Sequence, residues 1–170
     1  MTIQDLSRIG RAEFVAALGG IFEHSPWVAE QAFDKRPFAD VQQLHLAMSG
    51  ALRAASREAQ LALIRAHPEL AGSEALAGAL TAESTSEQSR LGFNALSRGE
   101  FERMTELNQR YREKFGFPCI VALKLHASRS TVMAEFERRI ANGRDAEIGN
   151  ALEQIGHIAR GRLEQLFGAR

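Results

Sequence analysis

A chain of 170 residues is long enough to bury a core of its own, which excludes a small scaffold held by disulfides or metal. With 45% hydrophobic and 25% charged residues it is no disordered, collagenous or low-complexity chain. Its 21 Lys and Arg balance 21 Asp and Glu, so no net field favours a polyanion and nucleic acid is not expected as a partner.

Helical periodicity dominates from the start. Phe14 and Leu18 form a short apolar stripe that runs into Gly19-Gly20, where a left-handed residue is expected to close the helix. Ser25-Pro26 turns the chain and Pro26 starts the next helix with Trp27. From Val41 the apolar residues recur at Leu44, Met48, Leu52 and Ala55, one buried helical face. Ser56 caps a further helix carrying Leu61, Leu63 and Ile64, which ends at His67 because Pro68 disfavours helical backbone before it. The stretch from Glu69 to Thr81 reads as a loop with a short helical turn. Ser84-Thr85-Ser86-Glu87 and Ser97-Arg98-Gly99-Glu100 both have capping-box spacing and are each expected to open a helix. The second of these continues through Phe101, Met104, Leu107, Tyr111 and Phe115 and stops at Gly116, with Pro118 beyond. Cys119-Ile120-Val121-Ala122-Leu123 is too short to classify by period and reads as a buried, extended run. Val132, Phe136 and Ile140 mark a helix closed by Asn142-Gly143, and the last helix carries Ile148, Leu152, Ile155, Ala159, Leu163 and Leu166. The sum is an all-α, single-domain irregular bundle of about seven or eight helices over residues 1–170.

Three polar residues stand out against this pattern. At roughly 100° per residue, Arg162 falls about 20° from Ile155, on the edge of the inward stripe, while His157 faces solvent. An arginine there grips a carboxylate or carbonyl, or else its stem snorkels and its head reaches water. His67 follows a helix C-terminus, where the dipole favours an imidazolium; it is either poised for proton transfer or caps the last carbonyls. Glu87 sits in the first turn of its expected helix, where the capping box with Ser84 already accounts for it. Near His67 it would instead fix the imidazole tautomer for acid–base work.

Other chemistry finds no carrier. His24, His45 and His126 have no partner at metal-ligand spacing, and the carboxylates form no calcium loop, so no metal is expected. Neither a phosphate-cradling glycine loop nor a Gly-x-Ser-x-Gly elbow occurs, and Cys119, in its apolar run, reads as a packing residue. A lone cysteine forms no internal disulfide, no apolar run approaches ~18 residues, and Met1-Thr2-Ile3-Gln4-Asp5 is no signal peptide. The expected location is therefore cytoplasmic, with no membrane partner.

Taken together, Phe22-Glu23-His24-Ser25-Pro26-Trp27-Val28-Ala29, His67-Pro68-Glu69-Leu70-Ala71-Gly72, Ser84-Thr85-Ser86-Glu87-Gln88 and Phe115-Gly116-Phe117-Pro118 resemble the family of 2-oxo-4-hydroxy-4-carboxy-5-ureidoimidazoline (OHCU) decarboxylases, from about Phe14 to Phe167. The resemblance implies an all-helical homodimer without metal or organic cofactor that converts its ureidoimidazoline substrate to (S)-allantoin in urate breakdown. It makes His67 the catalytic histidine and Glu87 its acidic companion. Pro68, Ser84, Gln88 and Arg162 become substrate contacts, and Cys119, Ile120, Val121, Ala122 and Leu123 the stretch whose backbone holds the substrate. The chain departs from many relatives in having Ser89-Arg90-Leu91-Gly92-Phe93 in place of a small, glycine-rich continuation. Two other classes compete: a non-catalytic helical binding module, in which His67 and Glu87 only cap helices, and an acid–base hydrolase of a related ureide.

Overall fold

The computed structural model describes residues 1–168, apart from the side chains of Ser73 and Glu74. Among the described residues every regular element is helical, with no strand. A 3-10 turn at Gln4–Ser7 precedes α1 (Arg11–Leu18), α2 (Trp27–Phe33), α3 (Val41–Ala54), α4 (Arg57–Ala66), α5 (Ser73–Leu76), α6 (Ala82–Arg90) and α7 (Arg98–Phe115). A second 3-10 turn, Leu123–Leu125, leads to α8 (Arg129–Ile140) and α9 (Arg144–Phe167). The all-α expectation holds. The single-turn α5 is the short helical turn expected within the 69–81 loop, and the other eight helices agree with the expected number. The chain divides into two compact units: Met1–Ala66 with the residues from Gly156 onward, and His67–Ile155.

In the first unit α1, α2 and α3 pack around Phe14, Leu18, Val28, Leu44 and Met48, all fully buried. Each such side chain contributes about 1.5–3 kcal/mol by leaving water. Asp40 opens α3 by accepting from the Gln43 N–H at 2.8 Å, and Ser56 opens α4 by accepting from Ala59 at 3.1 Å. In α4 the buried residues are Gln60, Leu63 and Ile64, while Leu61 is only half-buried. Gln60 is inward because its amide donates to the carbonyls of Leu52 at 3.1 Å and Arg53 at 3.3 Å in the last turn of α3, where the Ala55 N–H also bonds Leu52. Gly19 is not left-handed as expected, having φ −63°. It is glycine for room: a Cβ there would lie 2.7 Å from the Val15 carbonyl oxygen and 3.4 Å from the Pro26 Cβ.

In the second unit the Ser97–Glu100 capping box forms as expected, and α7 buries Met104, Leu107, Tyr111 and Phe115 before Gly116 closes it at φ 78°. The other expected box does not form. Thr81, three residues upstream, takes the cap by accepting from the Ser84 N–H at 3.2 Å, so Ser84 is the third residue of α6 and Glu87 the sixth. A first-turn role no longer accounts for Glu87. In α9, Ile148, Ile155, Ala159 and Leu163 are buried as the stripe requires. Ala151 takes the inward place expected of Leu152, Leu166 is exposed, and His157 is half-buried rather than solvent-facing.

Candidate active site

Ten of the eleven expected site residues lie in the second unit, and Arg162 lies in the first. His67 is the first residue after α4 and is buried, with Pro68 beside it half-buried. The chain then turns sharply. Ala71 adopts φ 49°, and a Cβ on Gly72 would lie 2.7 Å from the Glu69 Cβ. The Gly72 N–H bonds the Glu69 carbonyl at 3.3 Å, and side chains satisfy other backbone groups of the turn. The Gln88 Oε1 accepts from the Ala71 N–H at 3.1 Å, its Nε2 donates to the Glu69 carbonyl at 3.4 Å, and Asn108 of α7 donates to the Leu70 carbonyl at 2.8 Å. The Glu69 carboxylate pairs with Arg112.

Ser84 and Gln88, four residues apart, share the buried face of α6, and Glu87 beside them is half-buried. Two residues past Gln88, Arg90 donates from the same helix to the carbonyls of Leu123 and, at 3.0 Å, His126. Thus α6 is tied through Gln88 to the loop after His67 and through Arg90 to the end of the 119–123 run. The Ser89-Arg90-Leu91 departure noted in the sequence supplies one of these ties.

Cys119, Ile120, Val121, Ala122 and Leu123 are all buried, and 119–122 is non-helical, with Ala122 extended at φ −76° and ψ 95°. Arg139 of α8 donates to the Ile120 carbonyl, and the Gln154 Oε1 accepts from the Ala122 N–H at 2.9 Å. Among the described residues nothing hydrogen-bonds the N–H or C=O of Val121 between them. Buried peptide groups that the protein does not satisfy are satisfied by water or by a ligand. Burial pushes the Cys119 thiol up to about 12, which leaves it a packing residue.

Arg139 and its partner Glu147, which no motif in the sequence singles out, hold this stretch of backbone. Arg139 is 3% and Glu147 0% exposed, with Arg139 Nε 2.8 Å from Glu147 Oε1. Tyr111 donates to the same oxygen at 2.6 Å, and Asn142 and Asn150 donate to Oε2 at 3.0 and 2.6 Å. Burial pushes the Glu147 carboxyl up, but these hydrogen bonds and the Arg139 charge outweigh it and hold the group below the usual carboxylate range. The signal was present in the pattern. Arg139 follows Val132 and Phe136 on the inward stripe of α8, and Glu147 precedes Ala151 and Ile155 at four-residue steps on α9.

In the first unit Arg162 is buried, as its place on the stripe implied, and the anion it needs is Glu23: Nη1 lies 2.8 Å from the Glu23 Oε2. The same nitrogen lies 3.4 and 3.3 Å from the carbonyls of Gly20 and Ile21. Glu23 belongs to the Phe22-Glu23-His24-Ser25-Pro26 turn, where His24 adopts φ 47° and the Ser25 hydroxyl donates to the Glu23 carbonyl at 2.9 Å.

A hollow of about 440 Å³ among α5, α6 and the start of α7 is lined by residues including Leu76, Leu80, Gln88, Phe93 and Phe101; neither His67 nor Glu87 lines it. Among the described residues no group of three His, Cys, Asp or Glu could hold a metal ion, and no helix is long and apolar enough to cross a membrane.

Within the second unit of this all-α fold, α6 is thus bonded both to the loop that follows the buried His67 and to the end of the buried 119–123 backbone. The family model for OHCU decarboxylase matches residues 7–164, and the chain belongs to that family. It is 40% identical over 169 residues to the 2-oxo-4-hydroxy-4-carboxy-5-ureidoimidazoline decarboxylase of Haloferax volcanii, covering 99% of this chain and 98% of the relative. It is 38% identical over 166 residues to the enzyme of the same name from Halalkalicoccus jeotgali, covering 98% and 92%. Among solved structures it is similar to an (S)-allantoin synthase, with a TM-score of 0.76 and 32% identity over 98% of this chain and 54% of that one.

Proposed function

We propose that this protein decarboxylates 2-oxo-4-hydroxy-4-carboxy-5-ureidoimidazoline to (S)-allantoin in urate degradation. The observation that carries the reading is the joining, through α6, of the His67 loop and the buried 119–123 backbone in a chain of this family. Loss of CO2 breaks a carbon–carbon bond and leaves its electron pair on the ring carbon. The substrate's adjacent C=N takes up that pair, so the reaction needs no electron sink of the kind a pyridoxal or thiamine cofactor supplies.

In this reading His67, oriented by Glu87, moves the proton of the substrate hydroxyl, and a proton then added to one face of the planar intermediate fixes the S configuration. Removal of the capping role from Glu87 supports its assignment to chemistry. Pro68, Ser84 and Gln88 contact the substrate, the 119–123 backbone holds its ureide groups, and Arg162, held by Glu23, binds it through the planar fork of its guanidinium. The chain works as one domain, forms a homodimer and acts in the cytoplasm, where a lone buried thiol such as Cys119 stays reduced.

The test is stereochemical. Freshly made 5-hydroxyisourate with its hydrolase, followed by this protein, gives a rapid circular-dichroism signal from enantiopure allantoin, and the His67→Asn variant folds without giving it. Slow racemic product would instead identify a binding module, product without stoichiometric CO2 a hydrolase, and normal turnover by His67→Asn would remove the histidine from the chemistry.

A further inference from the structure

We propose that Arg139, held by Glu147, and Gln154 are positioning residues that clamp the two peptide planes on either side of Val121, so that its N–H and C=O are presented to the substrate as a fixed donor–acceptor pair. The inference rests on the reading that the 119–123 backbone holds the substrate, and it assigns what holds that backbone.

A trans peptide is planar, so its C=O and N–H point in opposite directions. The Ile120 C=O and Val121 N–H share one plane, and Arg139 holds the carbonyl; the Val121 N–H therefore points away from the guanidinium. The Val121 C=O and Ala122 N–H share the next plane, and Gln154 holds the N–H at 2.9 Å; the Val121 carbonyl therefore points away from Gln154. The two groups that remain are one donor and one acceptor on a single residue, and among the described residues neither has a protein partner. A cyclic ureide or amide, whose own N–H and C=O are adjacent, is the chemical complement of that pair. The charge of Arg139 also polarises the plane it holds, which makes the Val121 N–H a stronger donor.

The clamp is rigid because its base is. Arg139 uses Nε on Glu147 at 2.8 Å and Nη1 on Ile120, and Glu147 is fixed in turn by Tyr111, Asn142 and Asn150. A lysine could pair with Glu147 or reach the carbonyl, but it lacks the fork that does both. Gln154 is half-buried, so its removal tests the clamp without opening the core.

The experiment compares the unsubstituted protein with R139K, Q154M and Q154E in two ways: kcat and KM for decarboxylation, counted per folded molecule, and the Ile120 carbonyl and Ala122 amide NMR resonances. Losing a hydrogen bond that aims a substrate-binding group lowers kcat/KM roughly ten- to a hundredfold in R139K and Q154M. The Ile120 carbonyl signal moves in the first variant and the Ala122 amide signal in the second. Q154E, which still accepts from Ala122, is faster than Q154M. A merely structural role would lower the melting temperature and leave kcat/KM per folded molecule unchanged. If R139K does not fold, Q154M decides alone, and kcat/KM within about twofold of the unsubstituted protein overturns the clamp. An unsubstituted protein that makes no (S)-allantoin overturns the functional reading itself, and the clamp with it, so the control separates the two failures.

Discussion

Tyr111→Phe removes one buried oxygen and leaves the packing in place. The ring lies 4.5 Å from that of Phe115, 6.0 Å from Phe117 and 6.4 Å from Phe136, contacts that a phenylalanine keeps. What it loses is the 2.6 Å hydrogen bond to the ionised, fully buried Glu147. A hydrogen bond to a charged group contributes about 1.5–3 kcal/mol. For a chain of this size each kcal/mol moves the melting temperature by about 2–4 °C, so the variant should melt roughly 3–12 °C lower at neutral pH. The pH dependence has a definite sign. Glu147 is held below the 4.5 of an unperturbed glutamate, so the folded protein binds fewer protons than the unfolded chain between the two values. Its stabilisation is complete above that range and is lost as pH falls through the folded value. Without Tyr111 the folded value rises, so the gap between the two proteins is widest at neutral pH and narrows on acidification. Thermal melts followed by far-UV circular dichroism, at neutral pH and in steps down through the carboxylate range, measure both effects. Equal melting temperatures at neutral pH, or a gap that widens with acid, would refute the reasoning.

Two further outcomes can be checked simply. Ser97→Ala removes the capping box that opens α7 and should cost about 1 kcal/mol, seen as a melting temperature roughly 2–4 °C lower, with kcat/KM unchanged. Cys119, 3% exposed and with its thiol pushed up to about 12, should resist a disulfide reagent at neutral pH in the native protein and react fully in denaturant; prompt native labelling would contradict its burial.

The sequence is most informative where one local cause decides the structure. The Met48 and Leu52 rhythm of α3, the Ser97–Glu100 box and the left-handed Gly116 each follow from a few neighbouring residues, and each is found. The Ser84–Glu87 box failed because two residues could cap the same helix and the upstream one, Thr81, won; spacing alone does not rank them. Gly19 departs from the left-handed expectation because its reason for being glycine, the closeness of Val15 and Pro26, is a matter of packing rather than of backbone freedom. Arg162 and Arg139 carry the same signal, a cation on an inward stripe. Arg162 drew attention in a long, clean helix, whereas Arg139 was hidden beside Arg138 in a charged stretch. Its partner Glu147 is eight residues on, across a turn, and no period within one helix links the two.

Why a helical protein should bury such arginines at all has a physical answer. Desolvating an arginine and a glutamate offsets most of what their attraction returns, so a buried pair is a poor source of stability. Helices bond their own carbonyls, whereas irregular segments do not, and when such segments are buried their carbonyls need donors from elsewhere. That is what both buried arginines supply: Arg162, paired with Glu23, lies against the Gly20 and Ile21 carbonyls, and Arg139, paired with Glu147, donates to Ile120. Gln60 and Arg90 add a second donor to the Leu52 carbonyl at the end of α3 and to the Leu123 carbonyl, each already bonded by a nearby backbone N–H. Among the described residues there is no strand, so irregular backbone is also where peptide groups remain open to a ligand, since those inside helices are already taken. The side chains that make buried irregular backbone tolerable are therefore the ones that fix its geometry, and a charge on an inward stripe marks where such backbone runs.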